Sequence, residues 1–200
     1  GKPVVFVNSY RNASLYNFYT GIKTHSYSIL KGRKSQYNLS SFEEKMQVED
    51  VYSATTYVKN QPKLAKRYSS YMYGKHIKNY QTFEKAQCLI NSRELSFSEG
   101  SNEFEFTLIN TYNKTITFDQ VHFYGVFQGY KNKILAKVPL QISNRRSLKP
   151  NEQIVFKAVF DAPKLSETDA ITFRVALEFY NLLEGFQGNK VPVLLNESNQ

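Results

Sequence analysis

The chain has 200 residues, enough to bury about 70% of its unfolded surface as one large domain or somewhat less as two small ones. Its 41% hydrophobic and 15% aromatic content excludes disorder, and no apolar run is long enough to span a bilayer as a helix. The net charge of +9 is uneven: residues 1–85 carry 14 Lys or Arg against 5 Asp or Glu, and residues 86–200 carry 12 against 12. Cys88 is the single cysteine, which excludes an intrachain disulfide and the small disulfide-stapled class.

Gly1-Lys2-Pro3 leads into Val4-Val5-Phe6-Val7, a run too short for a signal peptide; if the protein is exported or anchored, the responsible segment is expected outside this chain. Those four residues predict a short strand ended by Asn8-Ser9, and Leu15 to Ile22 predicts another with Gly21 as its breaker. Ser41-Phe-Glu-Glu44 matches a capping box, in which hydroxyl and carboxylate satisfy two orphan N–H groups. A helix is therefore expected from Phe42 to about Val58, with Met46 on its apolar side. Pro62 suits the first turn of a second helix, with Leu64, Tyr68, Tyr71 and Met72 on one side and Gly74 as its stop. Ile77, Tyr80 and Phe83 continue as helix or as a lead-in to the strand-rich half of the chain.

The basic residues of this stretch interleave with tyrosines. Lys59, Lys63, Lys66, Arg67, Lys75 and Lys78 alternate with Tyr68 and Tyr71, a mixture that suits phosphate contacts plus stacking platforms. The same mixture suits an amphipathic helix whose tyrosines pack inward while lysines face water. Arg145-Arg146 forms a smaller basic loop patch with the same two readings. These ten residues are the candidate surface for a polyanion or a protein partner.

From about residue 88 the pattern changes to period two. Phe104, Phe106 and Leu108 share one face while Glu103, Glu105 and Thr107 share the other. Asn110–Thr115 reads as a polar turn, followed by Ile116 and Phe118, then Val121 and Phe123. Ile134, Ala136, Val138, Leu140 and Ile142 are in phase, and Pro139 places that strand at an edge or bulge. After a Pro-centred turn at Leu148–Glu152 come Ile154, Phe156, Ala158 and Phe160, then the stripe Ile171, Phe173, Val175, Leu177 and Phe179. Val191, Val193 and Leu195 close the series. Strict alternation means strands with one buried and one wet face, and seven or eight of them without helices between predict a β-sandwich or barrel.

The order of these segments carries a resemblance. A strand ends Phe106-Thr-Leu-Ile-Asn110, Lys114-Thr-Ile-Thr-Phe118 comes next, and Leu148-Lys-Pro-Asn-Glu152 leads into Ile154–Phe160 and Asp161-Ala-Pro163. This resembles the immunoglobulin-like, telokin-like domains of bacterial cell-envelope proteins and lipoproteins, and the surface-layer assembly domains of similar layout. Asn151 stands where that family has glycine. The resemblance covers about residues 88–180; it implies a non-catalytic, extracytoplasmic interaction module and brings no functional residues with it.

Signatures of chemistry are sparse. His25, His76 and His122 lack metal-ligand spacing, and there is no Cys-x-x-Cys pair, Gly-rich phosphate loop or nucleophile elbow. Cys88 at the start of a strand reads as a small core residue, and Glu103/Glu105 as a wet strand face. No catalytic residue, metal or cofactor is expected.

The sequence thus predicts a mainly β chain: an immunoglobulin-like antiparallel sandwich over residues 86–200, with a mixed, partly helical basic region over 1–85 packing on it. The expected function is a non-enzymatic protein-interaction or assembly module of an extracytoplasmic envelope protein, using loops or an open sheet edge. The alternative is a polyanion binder working through residues 51–85, its ligand a nucleic acid, an anionic lipid or a cell-wall polymer.

Overall fold

The computed structural model describes residues 1–27, 37, 42–67, 70–143, 147–165, 171–182, 185 and 187–196. The chain is mainly β and divides into two compact units, Gly1–Glu84 with Phe179–Gly185, and Lys85–Glu178 with Phe186–Gln200.

The first unit runs β1 (Val4–Val7), α1 (Tyr10–Thr20), β2 (Thr24–Tyr27), α2 (Phe42–Met46), β3 (Glu49–Ala54), β4 (Lys63–Arg67), β5 (Ser70–Tyr73) and β6 (His76–Tyr80). Its four-stranded sheet has the order β2-β1-β3-β6, with β1 parallel to both neighbours and β6 antiparallel to β3. Strands β4 and β5 form a separate antiparallel hairpin.

Three expectations fail in this unit, each for a tertiary reason. The strand expected over Leu15–Ile22 is helix α1 up to Thr20. Parallel pairing of Val4 with Thr24 requires the chain to return along the length of β1, and a helix makes that crossover while satisfying its own backbone. Gly21 then ends the helix in the left-handed conformation, donating its N–H to Asn17 O at 2.8 Å. The helix expected to reach Val58 stops at Met46. Val48 adopts a positive φ of 63°, and the chain becomes β3 with Val51 and Ser53 buried between β1 and β6. Ser41 of the capping box lies outside the described residues, and the Glu43 carboxylate instead accepts from the Thr82 hydroxyl at 2.8 Å and the Glu84 N–H at 3.1 Å.

The second expected helix, from Pro62 to Gly74, is the β4–β5 hairpin. Tyr71 and Met72 cannot share a side in a strand, and the period-two reading wins once β4 and β5 pair, with Lys66 opposite Tyr71. Gly74 is no helix stop here. A Cβ at this position would fall within bonding-contact range of the Ser53 carbonyl oxygen, so glycine is what lets the chain leave the hairpin hard against β3.

The sheet has two different faces. On one, Val5, Val7 and Val51 are buried and the rings of Tyr27, Phe83 and Tyr80 surround Phe179 at 4.8, 5.4 and 6.5 Å. On the other, Val4, Phe6 and Ala54 pack with Ala13 of α1 and Tyr37.

The second unit contains β7 (Gln87–Leu89), β8 (Leu95–Ser98), β9 (Gly100–Ile109), β10 (Val121–Gln128), β11 (Ile134–Pro139), β12 (Gln141–Ile142), β13 (Gln153–Ala162), β14 (Ile171–Phe179, whose last residue is counted in the first unit) and β15 (Val191–Asn196). Two sheets result, β11-β10-β14-β15-β8 and β12-β13-β9-β7. The alternation read from residue 100 onward governs the burial: Phe104, Phe106 and Leu108 are buried, while Glu103 and Glu105 are exposed. Inward phenylalanines from both sheets share one core, with Phe97–Phe160 at 5.0 Å, Phe104–Phe173 at 5.1 Å and Phe123–Phe156 at 5.7 Å. Edge-to-face pairs of this kind add about 0.5–1.5 kcal/mol each beyond the area they bury. Strand β11 is the outer strand of its sheet and ends at Pro139, whose missing N–H costs least there. The segment around Ile116 makes a single bridge to Leu148 and no strand.

Asn110 ties the turns of this unit together. Its two amide N–H groups are shared among the carbonyls of Lys114, Leu148 and Lys149 at 2.9–3.0 Å, and its Oδ1 accepts the Tyr112 N–H at 3.0 Å. Asn151 donates its backbone N–H to Asn110 O at 3.0 Å and holds φ at 59°, the left-handed region that glycine favours and asparagine tolerates.

Candidate functional site

Helix α1 is unusual in what it hides. Ala13 is its one fully buried residue, so the helix rests on the sheet by a small contact. Its other apolar stripe, Leu15, Tyr16 and Tyr19 beside Asn12, follows the i, i+3, i+4, i+7 spacing of a single helical face. That stripe does not enter the core. It forms one wall of an open groove of about 660 Å³ whose floor is Val4, Phe6 and Ala54 and whose opposite wall is Leu64 and Met72 of the hairpin.

The groove is apolar and accessible. Leu15, Tyr16, Tyr52 and Leu64 are 36–50% exposed and Tyr19 is 78% exposed, so half of this lining faces water in the free chain. The Phe6 and Tyr16 rings pack at 5.7 Å where floor meets wall. Just beyond the rim, Phe18 is 80% exposed and meets Tyr19 edge-on at 5.2 Å. Grouped apolar exposure on this scale marks interaction sites, whereas single exposed residues do not.

Lys2 is the one charged residue among the described groove lining. Its Nζ lies 3.3 Å from Asp50 Oδ2 and 2.9 Å from His76 Nε2. The Asn79 backbone N–H donates to Asp50, and together with Lys2 holds its carboxyl below the usual aspartate range. The Lys2 ammonium is thus committed to Asp50 and His76 where its side chain lines the groove.

The candidate basic surface is only partly assembled. Lys63 and Lys66 come together over the Tyr71 ring, with Nζ 4.4 and 5.9 Å from its centroid, a cation–π arrangement. Lys59 and Lys78 are exposed elsewhere in the same unit. Lys75 turns inward and donates to the Tyr180 carbonyl at 2.7 Å, making it a structural tie. Arg67 contributes backbone to β4, and Tyr68, Arg145 and Arg146 lie outside the described residues. The ring of Tyr71 carries lysines of its own hairpin where a base would stack.

Groups capable of chemistry are placed for structure. Cys88 is fully buried, and burial pushes its thiol far above the usual range, away from the nucleophilic thiolate. Glu103 pairs with Lys157 at 2.8 Å on a wet strand face, and His122 points to solvent from β10. One polar cluster has no counterpart in the sequence pattern. His25 Nε2 meets Glu84 Oε1 at 2.9 Å, both buried, close to the Glu43–Thr82 contact. Its members lie 59 residues apart in sequence, paired by the placement of β2 and of the segment that follows β6.

The groove residues are likewise not legible as a group in the sequence. Their one local signal is the 3.6-residue spacing of Asn12, Leu15, Tyr16 and Tyr19, masked by the strand propensity of tyrosine and phenylalanine.

No protein-family model matches the chain, and no curated protein does. Solved structures similar to part of it include the E. coli chaperone DraB, at 8% identity and TM-score 0.32 over 56% of this chain and 54% of that one. Others are the Pseudomonas fluorescens alkylpurine DNA glycosylase AlkC bound to DNA containing an abasic site analog (10%, 0.30, 55% of this chain and 30% of that one) and a family 123 glycoside hydrolase from Clostridium perfringens (8%, 0.27, 53% and 24%). Likenesses this distant carry no argument about function.

Proposed function

We propose that the chain is a non-catalytic protein-interaction module whose binding surface is the α1–hairpin groove of the first unit. The observation that carries this reading is the helical stripe of Leu15, Tyr16 and Tyr19, which serves no core of its own and stands open to solvent. Covering it removes apolar surface from water, worth roughly 25 cal/mol for each Å² buried.

The second unit is the scaffold, an immunoglobulin-like sandwich in this reading. Its two strand orders support that assignment. Lettered in chain order, β7 and β8 are the split first strand A and A′, and β9 to β15 are B, C, C′, D, E, F and G. The sheets then read C′-C-F-G-A′ and D-E-B-A, the immunoglobulin arrangement with a variable-type extra strand. The resemblance to envelope domains extends this reading to a location outside the cytoplasm.

The test is site-specific photo-crosslinking in the native host, with a photoreactive residue at Tyr19 and a control at the exposed Val155 on β13. Discrete protein adducts from position 19 and none from 155 are expected. Adducts that contain nucleic acid, glycan or lipid and no protein would refute the reading, as would no adduct from position 19.

A further inference from the structure

The β4–β5 hairpin turns a second face, of different chemistry, away from the groove. We propose that this outer face is a docking surface for an anionic glycan, a chain of sugars carrying carboxylates or sulfates. It is independent of the groove and of whatever fills that groove.

The register builds the face. Leu64 is the extra residue of a bulge between Lys63 and Ala65, so Lys63 lies opposite Tyr73 and Lys66 opposite Tyr71, while Ala65 lies opposite Met72. In β5, Tyr71 and Tyr73 point away from Met72, the groove residue between them. In an unbroken strand, two lysines three residues apart would face opposite ways. The bulge brings Lys63 and Lys66, both exposed, to the side of the two tyrosines. Their Nζ atoms stand 4.4 and 5.9 Å from the Tyr71 ring centroid, and the Tyr73 ring lies 6.3 Å from that of Tyr71.

Charge sets the sign of the partner. Gly1–Glu84 with Phe179–Gly185 holds 13 Lys or Arg and 6 Asp or Glu, a net +7. Four of those carboxylates are engaged elsewhere: Glu43 with Thr82, Glu84 with His25, Glu49 with Lys23 and Asp50 with Lys2. Lys63 and Lys66 have no carboxylate partner among the described residues, so two ammoniums crowd one ring with their mutual repulsion uncompensated. A polymer that brings several negative charges relieves that repulsion and is steered in by the field of the unit.

The rest of the face selects a glycan among polyanions. A row of nucleic-acid bases needs successive open rings, and the Tyr71 ring already carries ammoniums. A membrane, or an apolar-anchored protein segment, needs insertable apolar side chains beside the lysines, and Leu64 and Met72 line the groove instead. A sugar chain needs neither. Its hydroxyls and C–H faces suit half-buried tyrosines, and its acidic groups suit the lysines.

Fluorescence anisotropy of labelled heparin with the full chain, over a salt series, tests this. A single-stranded oligothymidylate and phosphatidylglycerol vesicles serve as the competing polyanions. Heparin is expected to bind at about 0.15 M salt, to weaken as salt rises, and to bind more tightly than either competitor. Lys63→Glu/Lys66→Glu should weaken it at least about tenfold, and the charge-matched Lys59→Glu/Lys78→Glu less than about twofold. All four lysines are exposed, and far-UV circular dichroism with the unfolding midpoint verifies that both variants are folded. An equal loss in the two variants reduces the effect to net charge and overturns the inference. So does tighter binding of the oligonucleotide or the vesicles, binding indifferent to salt, or no binding of heparin.

Discussion

Asn110 shows how much of this fold hangs on single polar side chains. Its amide links three carbonyls of two turns, and its Oδ1 accepts the Tyr112 N–H, while Leu148 O and Lys149 O also accept the Ile116 and Glu152 N–H groups. Asn110→Ala is expected to cost about 3 kcal/mol, since it removes these four hydrogen bonds at roughly 0.5–1.5 kcal/mol each. Asn151, which donates to the same residue, behaves differently. At φ 59° it carries a left-handed penalty that glycine does not, so Asn151→Gly should be neutral or stabilising, and Asn151→Val should cost about 1–2 kcal/mol. Chemical denaturation midpoints of the three variants check the set; a destabilised Asn151→Gly would contradict it. The asparagine in a position where the resembling family has glycine is thereby given a backbone reason.

Among the elements, the β4–β5 hairpin and α1 decide whether a groove exists at all. Gly74 lets the hairpin leave β3 at a distance no side chain would permit. Gly74→Ala should therefore destabilise the chain by about 1–3 kcal/mol, as overpacking does, and shift Leu64 and Met72 out of the groove wall. An unchanged unfolding midpoint, with unchanged chemical shifts at Leu64 and Met72, would contradict this. These same elements are the least legible in the sequence. Alternation from residue 100 onward reads directly as strands, because each residue of β9 or β13 meets one wet and one buried face. In the first unit, β3 and α1 are decided by partners far along the chain: β3 by its slot between β1 and β6, and α1 by the parallel pairing it bridges. Local propensity sees neither. The groove stays hidden for the same reason, since Phe6, Leu15, Tyr52 and Met72 come from four elements and only the topology assembles them.

At the level of the molecule, the two units divide burial unequally. The second buries its aromatics thoroughly, with Phe97, Phe106, Phe123, Phe127, Phe156 and Phe173 all almost fully enclosed. The first carries most of the net positive charge and leaves an apolar groove open, and in the proposed reading that groove is the binding surface. That division rests on the groove being an accessible apolar site in the native state. Titrating the full chain with an anilinonaphthalene dye, and repeating the titration with Leu15→Glu/Tyr19→Glu, tests this most directly. The account predicts one saturable site on the wild-type chain that the double variant loses while its unfolding midpoint is unchanged. No saturable dye binding, or equal binding by a folded double variant, would contradict it.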